Sequence, residues 1–332
     1  MKKHLRKNQF EPPRAPSSPR RIKRIFASRR SWCPWCLGGS NGFYLFAFLF
    51  ASFFLSPGPR VWAGDSIAVP QRIISLSPHF TEILYDIGAQ DQLVGVTRFC
   101  KFPPEAQKKA IVGDFYHPNY ERIISLKPDL VLLSPSNGKA ADTLKRLHIP
   151  VWIHDNNRIE EVLETYDALG EKLGRQAQAG EAKARLERRL AAIRNKAKTR
   201  KKVSILFVVG HGVGSLQQIY AAGDDSFVGE MMDWVGGANI LAGTTVPFPL
   251  VSKEQLLKKN PEVIVDSMPS DEATKDTIEE AKKAWSKLPS LSAVRLNHVY
   301  FLKQDEYLIP GPTMVGLAEY LSKIFDEVQK QN

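Results

Sequence analysis

The chain has 332 residues, enough for one large or two modest domains, and its 43% hydrophobic and 10% aromatic content is typical of a globular protein. The formal net charge of +11 comes from residues 1–63, which hold 12 of the 46 basic residues and one of the 35 acidic residues. The remainder has 34 of each, so its charge gives no support for a nucleic-acid-binding surface.

Residues 1–63 are predicted to be an export signal that directs the chain to the periplasm. After a long basic region, the apolar run 42–55 has 14 residues, whereas a membrane-spanning helix needs about 20. Val61 and Ala63 are small residues at positions −3 and −1 of a cleavage site, so we expect cleavage after Ala63. An uncleaved membrane anchor is the alternative. The long basic region indicates either a downstream true start or a twin-arginine signal at Arg29-Arg30.

Two of the three cysteines, Cys33 and Cys36, lie in a WCPWC sequence similar to a thioredoxin redox motif. That motif requires a strand–helix setting, which the export signal does not offer, so a redox function is a minor alternative. Cys100 is the only cysteine after the predicted cleavage point, and an internal disulfide is therefore not expected.

The pentapeptide RIISL occurs twice, and its flanking residues predict two different structures. The first copy, residues 72–76, precedes Ser77-Pro78, a helix N-cap followed by proline at the first helical position, so this copy is predicted to be a strand. The helix that starts there should end at Gly88. The second copy, residues 122–126, follows the N-cap candidate Asn119 and is predicted to be helical.

A different unit recurs at residues 119–133 and 252–266. Each copy has a capping residue, then a glutamate two positions later, then a proline seven positions after the glutamate and an apolar strand. Two copies of one helix–proline–strand unit indicate two similar α/β lobes.

The predicted organisation has a first α/β lobe at residues 64–157, a linking helical segment at 158–202 and a second α/β lobe at 203–332. Within the link, residues 176–198 predict one long helix, because leucines and isoleucine recur along one stripe. A helix joining two lobes is a stiff connection, unlike a flexible linker.

Several segments resemble the periplasmic binding proteins of iron-complex and vitamin B12 ABC importers. They include RIISLSPHFTEILYDIGAQDQLVGVT, NYERIISLKPDLVLLS, AAGDDSFVGEMMDWVGGANIL and VPFPLVSKEQLLKKNPEVIV, and the match spans roughly residues 71–328. The resemblance is strongest to the members that bind cobalamin. It implies a class III fold, in which two Rossmann-like lobes are joined by one long helix and bind a metal chelate between them. It implies no catalysis, no resident cofactor and a monomer that docks on a membrane permease with its ATPase.

The same resemblance assigns a docking role to two glutamates. Glu121 and Glu254 match the family positions that project from each lobe towards arginine-lined pockets of the transporter. A glutamate at the second helical position is favoured by the helix dipole and can accept paired bonds from arginine. The simpler interpretation is that each glutamate only stabilises its helix end.

A broad, largely apolar corrin or porphyrin ring calls for aromatic residues and a few polar groups. By the resemblance, cobalamin contacts fall on Phe99, Phe115 and Phe248, where the family members that bind cobalamin have tyrosine or tryptophan. The full set of ligand-binding candidates is Phe99, Phe115, Tyr116, His117, Phe248 and Tyr307.

The histidines leave alternatives open. His117, His79 and His211 could each supply an imidazole to cobalt or haem iron, although a lone histidine is more often a hydrogen-bonded structural residue. The spacing of histidines and acids does not predict a bare metal site. Haem or a ferric siderophore is therefore the second ligand hypothesis. An exported hydrolase that uses His211 or His117, and a sensor that keeps the fold, are hypotheses of other classes.

Overall fold

The computed structural model describes residues 69–212, 215–268 and 273–331. The predicted export signal and the Cys33–Cys36 pair lie outside these ranges. Among the helices of the described ranges, none is both long and apolar enough to cross a membrane.

The first sheet has five parallel strands in the order β3-β2-β1-β4-β5. Its strands are β1 (Ile73–Ser75), β2 (Leu93–Val96), β3 (Ala110–Ile111), β4 (Leu130–Leu133) and β5 (Val151–Ile153). The helices between them are α1 (Pro78–Asp86), α2 (Tyr120–Ser125) and α3 (Gly138–Arg146). Because the strands are parallel, all five carboxyl ends lie at one edge, where α/β folds bind ligands.

The two RIISL copies adopt the two predicted structures. The first forms β1, whose isoleucines are fully buried between β2 and β4. The second lies in α2, where the Asn119 side chain accepts a hydrogen bond from the backbone N–H of Arg122 at 2.9 Å. α1 begins at Pro78 and is followed by Gly88 at a φ of +72°, as its sequence predicts. Caps and prolines, not the pentapeptide itself, therefore decide the local structure.

The second sheet is mixed. Its strands are β6 (Val203–Gly210), β7 (Ile219–Ala221), β8 (Gly237–Asn239), β9 (Leu250–Val251), β10 (Val263–Ser267) and β11 (Val299–Leu302), with β8, β10 and β11 parallel to β6 and with β7 antiparallel to both β6 and β9. Its helices are α6 (Phe227–Trp234), α7 (Lys253–Lys259), α8 (Lys275–Ser286), α9 (Ser292–Arg295) and α10 (Val315–Gln331). The antiparallel β7–β9 ribbon is the departure from the first lobe's pattern.

Two helices, α4 (Ile159–Lys172) and α5 (Gln176–Ala197), connect the sheets. With 22 residues, α5 is about 33 Å long at 1.5 Å per residue, which confirms the predicted long helix. Its buried residues Leu186 and Leu190 belong to one hydrophobic core that includes Ile73 of the first sheet and Ile205 of the second. The helix is therefore packed into both halves of the molecule. The exact lobe boundaries at 157/158 and 202/203 stay predictions.

The recurring unit also folds alike in both copies. Ser252 caps α7 by accepting a hydrogen bond from the backbone N–H of Gln255 at 3.0 Å, as Asn119 caps α2. Each helix is followed by a residue at positive φ, Lys127 or Asn260, then by the proline and by the buried strand β4 or β10.

The two caps generate a stability prediction. We expect Asn119→Ala and Ser252→Ala each to lower the free energy of unfolding by about 1 kcal/mol, because each leaves a backbone N–H of the first helical turn without its partner. Urea unfolding measures this. Asn119→Ser, which keeps a capping oxygen, is the control and should cost a few tenths of a kcal/mol at most. Equal losses in the serine and alanine variants would show that the cap is not the cause.

Candidate functional site

The loop between β3 and α2 carries three of the predicted ligand-binding residues. Gly113 begins it at a φ of +99° and forms an isolated antiparallel bridge with Pro118. A Cβ atom at Gly113 would lie 2.4 Å from the carbonyl oxygen of His117, so only glycine fits. The loop is consequently closed at its base and presents residues 115–117 at its tip.

Asp114 fixes the backbone of that tip. Its Oδ1 accepts hydrogen bonds from the backbone N–H groups of His117 at 2.7 Å and Tyr116 at 2.8 Å, and its Oδ2 pairs with the Arg98 guanidinium at 2.7 Å. The N–H of His117, with lesser contributions from Tyr116 and Arg98, lowers the pKa of the Asp114 carboxyl. The ionised carboxylate thus ties the loop after β3 to the loop after β2.

The aromatic side chains of these two loops face outward. Tyr116 is 79% exposed and Phe99 is 42% exposed, while Phe115 is half-buried and meets the Tyr116 ring edge-on at 5.1 Å. The Arg98 guanidinium lies 5.1 Å from the centre of the Phe99 ring. Exposed His117 has its Nδ1 3.3 Å from Asp114 Oδ1. We call Phe99, Phe115 and Tyr116 the aromatic rim, because they line the carboxyl-end edge of the first sheet.

The two candidates of the second lobe differ from each other. Phe248 is 44% exposed and lies just before β9. Tyr307 is half-buried, and its ring occupies the space beside Gly316, where an added Cβ would come within 2.2 Å of the ring. Tyr307 therefore packs within its own lobe. Within the described ranges, no ring contact joins either residue to the aromatic rim.

A cavity of about 230 Å³ adjoins the rim. It is lined by Phe115, by residues that follow β1, β4 and β5, and by Pro310 of the second lobe. Sequence reasoning missed most of its polar residues, among them Ser134, Asp155 and Asn156. Their position directly after the apolar strands β4 and β5 is the signal that could have found them.

His79 lines this cavity from the start of α1 and is 5% exposed. Burial, aided by nearby His154, lowers the pKa of His79 to about 3, so its imidazole is neutral. Its ring lies 3.8 Å from that of Phe80. Its Nε2 is buried without a hydrogen-bond partner in the described structure.

His211 is locked in a buried ion pair. Its Nε2 lies 3.0 Å from Asp266 Oδ2, and its Nδ1 lies 2.9 Å and 3.1 Å from the carbonyl oxygens of Gly212 and Ser215. Both ring nitrogens can donate only when the imidazole is protonated, and the bond to Asp266 raises the pKa of His211 to about 9. Neither nitrogen is free to bind a metal or to act as a base, so the hypothesis that assigned His211 those roles is wrong.

Glu121 and Glu254 occupy equivalent positions on the two lobes. Each is the second residue of its helix, α2 or α7, and each is exposed. Neither carboxylate has an ion pair or hydrogen bond to another part of the chain that the structure describes. Both are therefore available to an external partner.

Glu82 of α1 makes a buried contact with the second lobe. The Thr313 hydroxyl lies 2.6 Å from Glu82 Oε2 and 2.7 Å from the carbonyl oxygen of Glu306. Burial raises the pKa of Glu82 to about 8, so its carboxyl is protonated at neutral pH. The carboxyl can then donate a hydrogen bond to the Thr313 hydroxyl, which in turn can donate to the carbonyl oxygen of Glu306.

Residues 73–306 match the family described as periplasmic binding protein. The chain belongs to this family. This chain is 28% identical over 266 residues to the vitamin B12-binding protein of Vibrio parahaemolyticus, and the match covers 79% of this chain and 91% of the relative. It is 32% identical to the uncharacterized ABC transporter substrate-binding lipoprotein YvrC of Bacillus subtilis, covering 79% and 82%.

The binding protein also shares its fold with solved structures. The periplasmic vitamin B12 binding protein BtuF of Vibrio cholerae aligns with a TM-score of 0.67 and 28% identity, over 79% of this chain and 99% of that one. The predicted class III fold is thereby confirmed.

The His211–Asp266 pair predicts a pH dependence. The pKa of His211 lies above its ordinary value of 6.5, so the pair's contribution to stability is complete below pH 6.5 and is lost as pH rises through about 9. Urea unfolding from pH 6 to 10 should show this loss in the wild type and not in His211→Gln. The variant His148→Gln, at an exposed histidine, should retain the wild-type loss. Identical pH profiles for the wild type and His211→Gln would contradict the assignment.

Proposed function

We propose that this protein is an exported substrate-binding protein of an ABC importer, which captures cobalamin or a related corrinoid between its lobes and delivers it to a membrane permease. The observation that carries the proposal is the aromatic rim at the carboxyl-end edge of the first sheet, where Phe99 and Tyr116 are exposed and Phe115 is half-buried. The family and the names of the relatives support it. In this role the protein binds and releases its ligand unchanged and acts as no enzyme.

The chemistry of the rim suits a macrocycle. Large aromatic side chains that remain exposed in the free protein form apolar surface that a ligand can cover. A corrin ring offers a broad apolar face against which Phe99, Phe115 and Tyr116 can stack. Phe248 of the second lobe would contact the ligand from the other side, and His117 is placed to offer an imidazole to the metal. Tyr307 would contribute by shaping its lobe's edge.

Charge favours a corrinoid over an anionic chelate. The Arg98 guanidinium lies beside the rim but is already paired with Asp114. No lysine or arginine lines the adjoining cavity. Haem carboxylates and ferric siderophores with a negative charge would need cations that are free. Haem and siderophores therefore rank second as ligands.

Glu121 and Glu254 are proposed to dock the protein on its permease. Each carboxylate projects from a capped helix with no competing partner in the described structure. Arginine guanidinium groups on the permease could bind each one in a bidentate manner. The rigid connection through α5 would keep the two carboxylates at a fixed separation.

Titration of the purified protein with cyanocobalamin, haemin and a ferric siderophore, followed by calorimetry, tests the ligand. We expect cyanocobalamin to bind most tightly. Phe115→Ala combined with Phe248→Ala should weaken it at least about tenfold, since stacking at two aromatic positions is lost. The control Leu147→Ala alters an exposed apolar residue after α3, away from the carboxyl-end edge, and should bind like the wild type. Absence of corrinoid binding at micromolar concentration would refute the proposal.

Transport assays with the cognate importer test the docking role. Glu121→Gln combined with Glu254→Gln should reduce uptake at least about tenfold and leave ligand affinity unchanged, because two charge-assisted contacts to the permease are lost. Glu181→Gln, an exposed glutamate on α5, is the matched control and should transport normally. Normal transport by the double variant would show that these residues serve only their helices.

A further inference from the structure

The cavity beside Phe115 collects polar atoms that have no partner. Across the described ranges, five buried side-chain nitrogen or oxygen atoms lack a hydrogen bond. Three of them, Ser77 Oγ, His79 Nε2 and Asn156 Nδ2, belong to residues that line this one cavity. Buried polar groups in folded proteins are almost always paired, so three unpaired atoms around one space indicate a partner from outside the chain.

These residues come from distant parts of the first lobe. Ser77 and His79 follow β1, whereas Asn156 follows β5. Ser77 is the N-cap residue of α1, yet its hydroxyl makes no capping bond and stays available. The Nδ2 of Asn156 is likewise uncommitted, although the backbone N–H of Asn156 is bound to Asp155 Oδ1 at 2.8 Å.

The types of atom define the group they would bind. The Asn156 amide nitrogen can only donate, whereas the Ser77 hydroxyl and the neutral His79 imidazole can accept. No cation lines the cavity, and the Asp155 carboxylate does, which opposes a carboxylate or phosphate ligand. A neutral group that has an acceptor and a donor on the same carbon atom satisfies all of these conditions. A primary carboxamide is such a group.

We propose that this cavity binds a primary carboxamide arm of the ligand, with the amide oxygen accepting from Asn156 and the amide nitrogen donating to Ser77 or His79. The inference rests on the proposed function, because corrinoids such as cobalamin carry carboxamide arms around the ring. It adds a specificity element, since haem presents carboxylates instead.

The position of the cavity fits this assignment. Phe115 of the aromatic rim forms part of its wall, so a ring stacked on the rim would have its edge next to the cavity. The Phe115 carbonyl oxygen accepts a hydrogen bond from Asn137 Nδ2 at 2.8 Å, which holds this wall in place. Pro310 of the second lobe also lines the cavity, so both lobes would enclose the arm.

Calorimetric titration of the purified protein with two probes tests the inference. Cyanocobalamin carries primary carboxamide arms, whereas dicyanocobyrinic acid carries carboxylates in their place and also lacks the nucleotide loop. The wild type should prefer cyanocobalamin. Asn156→Asp, which is nearly isosteric and replaces the donor with a carboxylate, should weaken cyanocobalamin about tenfold to a hundredfold. Ser77→Ala, which removes no internal hydrogen bond of its Oγ, should weaken it less and serves if the aspartate variant misfolds.

The control Asn195→Asp makes the same change at an exposed position of α5 and should bind like the wild type. If the wild type binds cyanocobalamin but Asn156→Asp and Ser77→Ala bind it equally well, the cavity holds water only and the inference is overturned while the proposed function stands. Preference of the wild type for dicyanocobyrinic acid overturns it as well. If the wild type binds neither corrinoid, the proposed function and the inference fall together.

Discussion

The burial of α5 in one hydrophobic core that reaches both sheets is the constraint on which the arrangement of the site depends. Leu186 and Leu190 bury one face of this helix in a core shared by β1 and β6. Because buried apolar contacts resist separation, the two carboxyl-end edges are held by a continuous apolar interior and not by a flexible linker. The buried contact between Glu82 and Thr313 adds a second connection beside it. The side chains at the carboxyl-end edges can therefore differ without a change in the spacing between the lobes.

The two edges carry unequal chemistry. In the first lobe, the Asp114 carboxylate binds the loop backbone and the Arg98 guanidinium, and the Tyr116 side chain at the loop tip stays exposed. In the second lobe, His211 Nε2 and Trp285 Nε1 both bind the same carboxylate oxygen of Asp266, at 3.0 Å and 2.8 Å. The first lobe thus offers uncommitted groups, and the second lobe offers a fixed surface with Phe248 at its margin.

Local signals in the sequence were enough for much of the fold. Caps and prolines lie next to the segments that they define, which is why the two RIISL copies and the α2 and α7 units could be predicted. The length of α5 could be predicted from its stripe of apolar residues. The antiparallel β7–β9 ribbon was missed, because strands of two or three residues have too few positions to show a period. Phe99 and Phe115 of the aromatic rim came instead from segments that resemble the family, and their role in ligand binding stays a prediction.

The unpaired state of the polar atoms in the cavity could not be predicted in this way. Whether an atom is unpaired depends on neighbours that the fold supplies, and Ser77 and Asn156 are far apart in the chain. His211 shows the converse, since its position after a strand suggested a ligand or base until its ring nitrogens were seen to face three acceptors. Tyr307 was a plausible contact from sequence, but its packing depends on the absence of a side chain at Gly316.

The backbone path of the loop after β3 is set by Gly113, Asp114 and Pro118, none of which belongs to the aromatic rim. Residues 115 and 116 can consequently exchange one aromatic ring for another without altering that path. The residues that set the backbone path of this loop are therefore different from the residues whose side chains the loop presents. If the loop tip contacts the ligand as proposed, point substitutions there would change what the protein binds without disturbing the backbone that presents them.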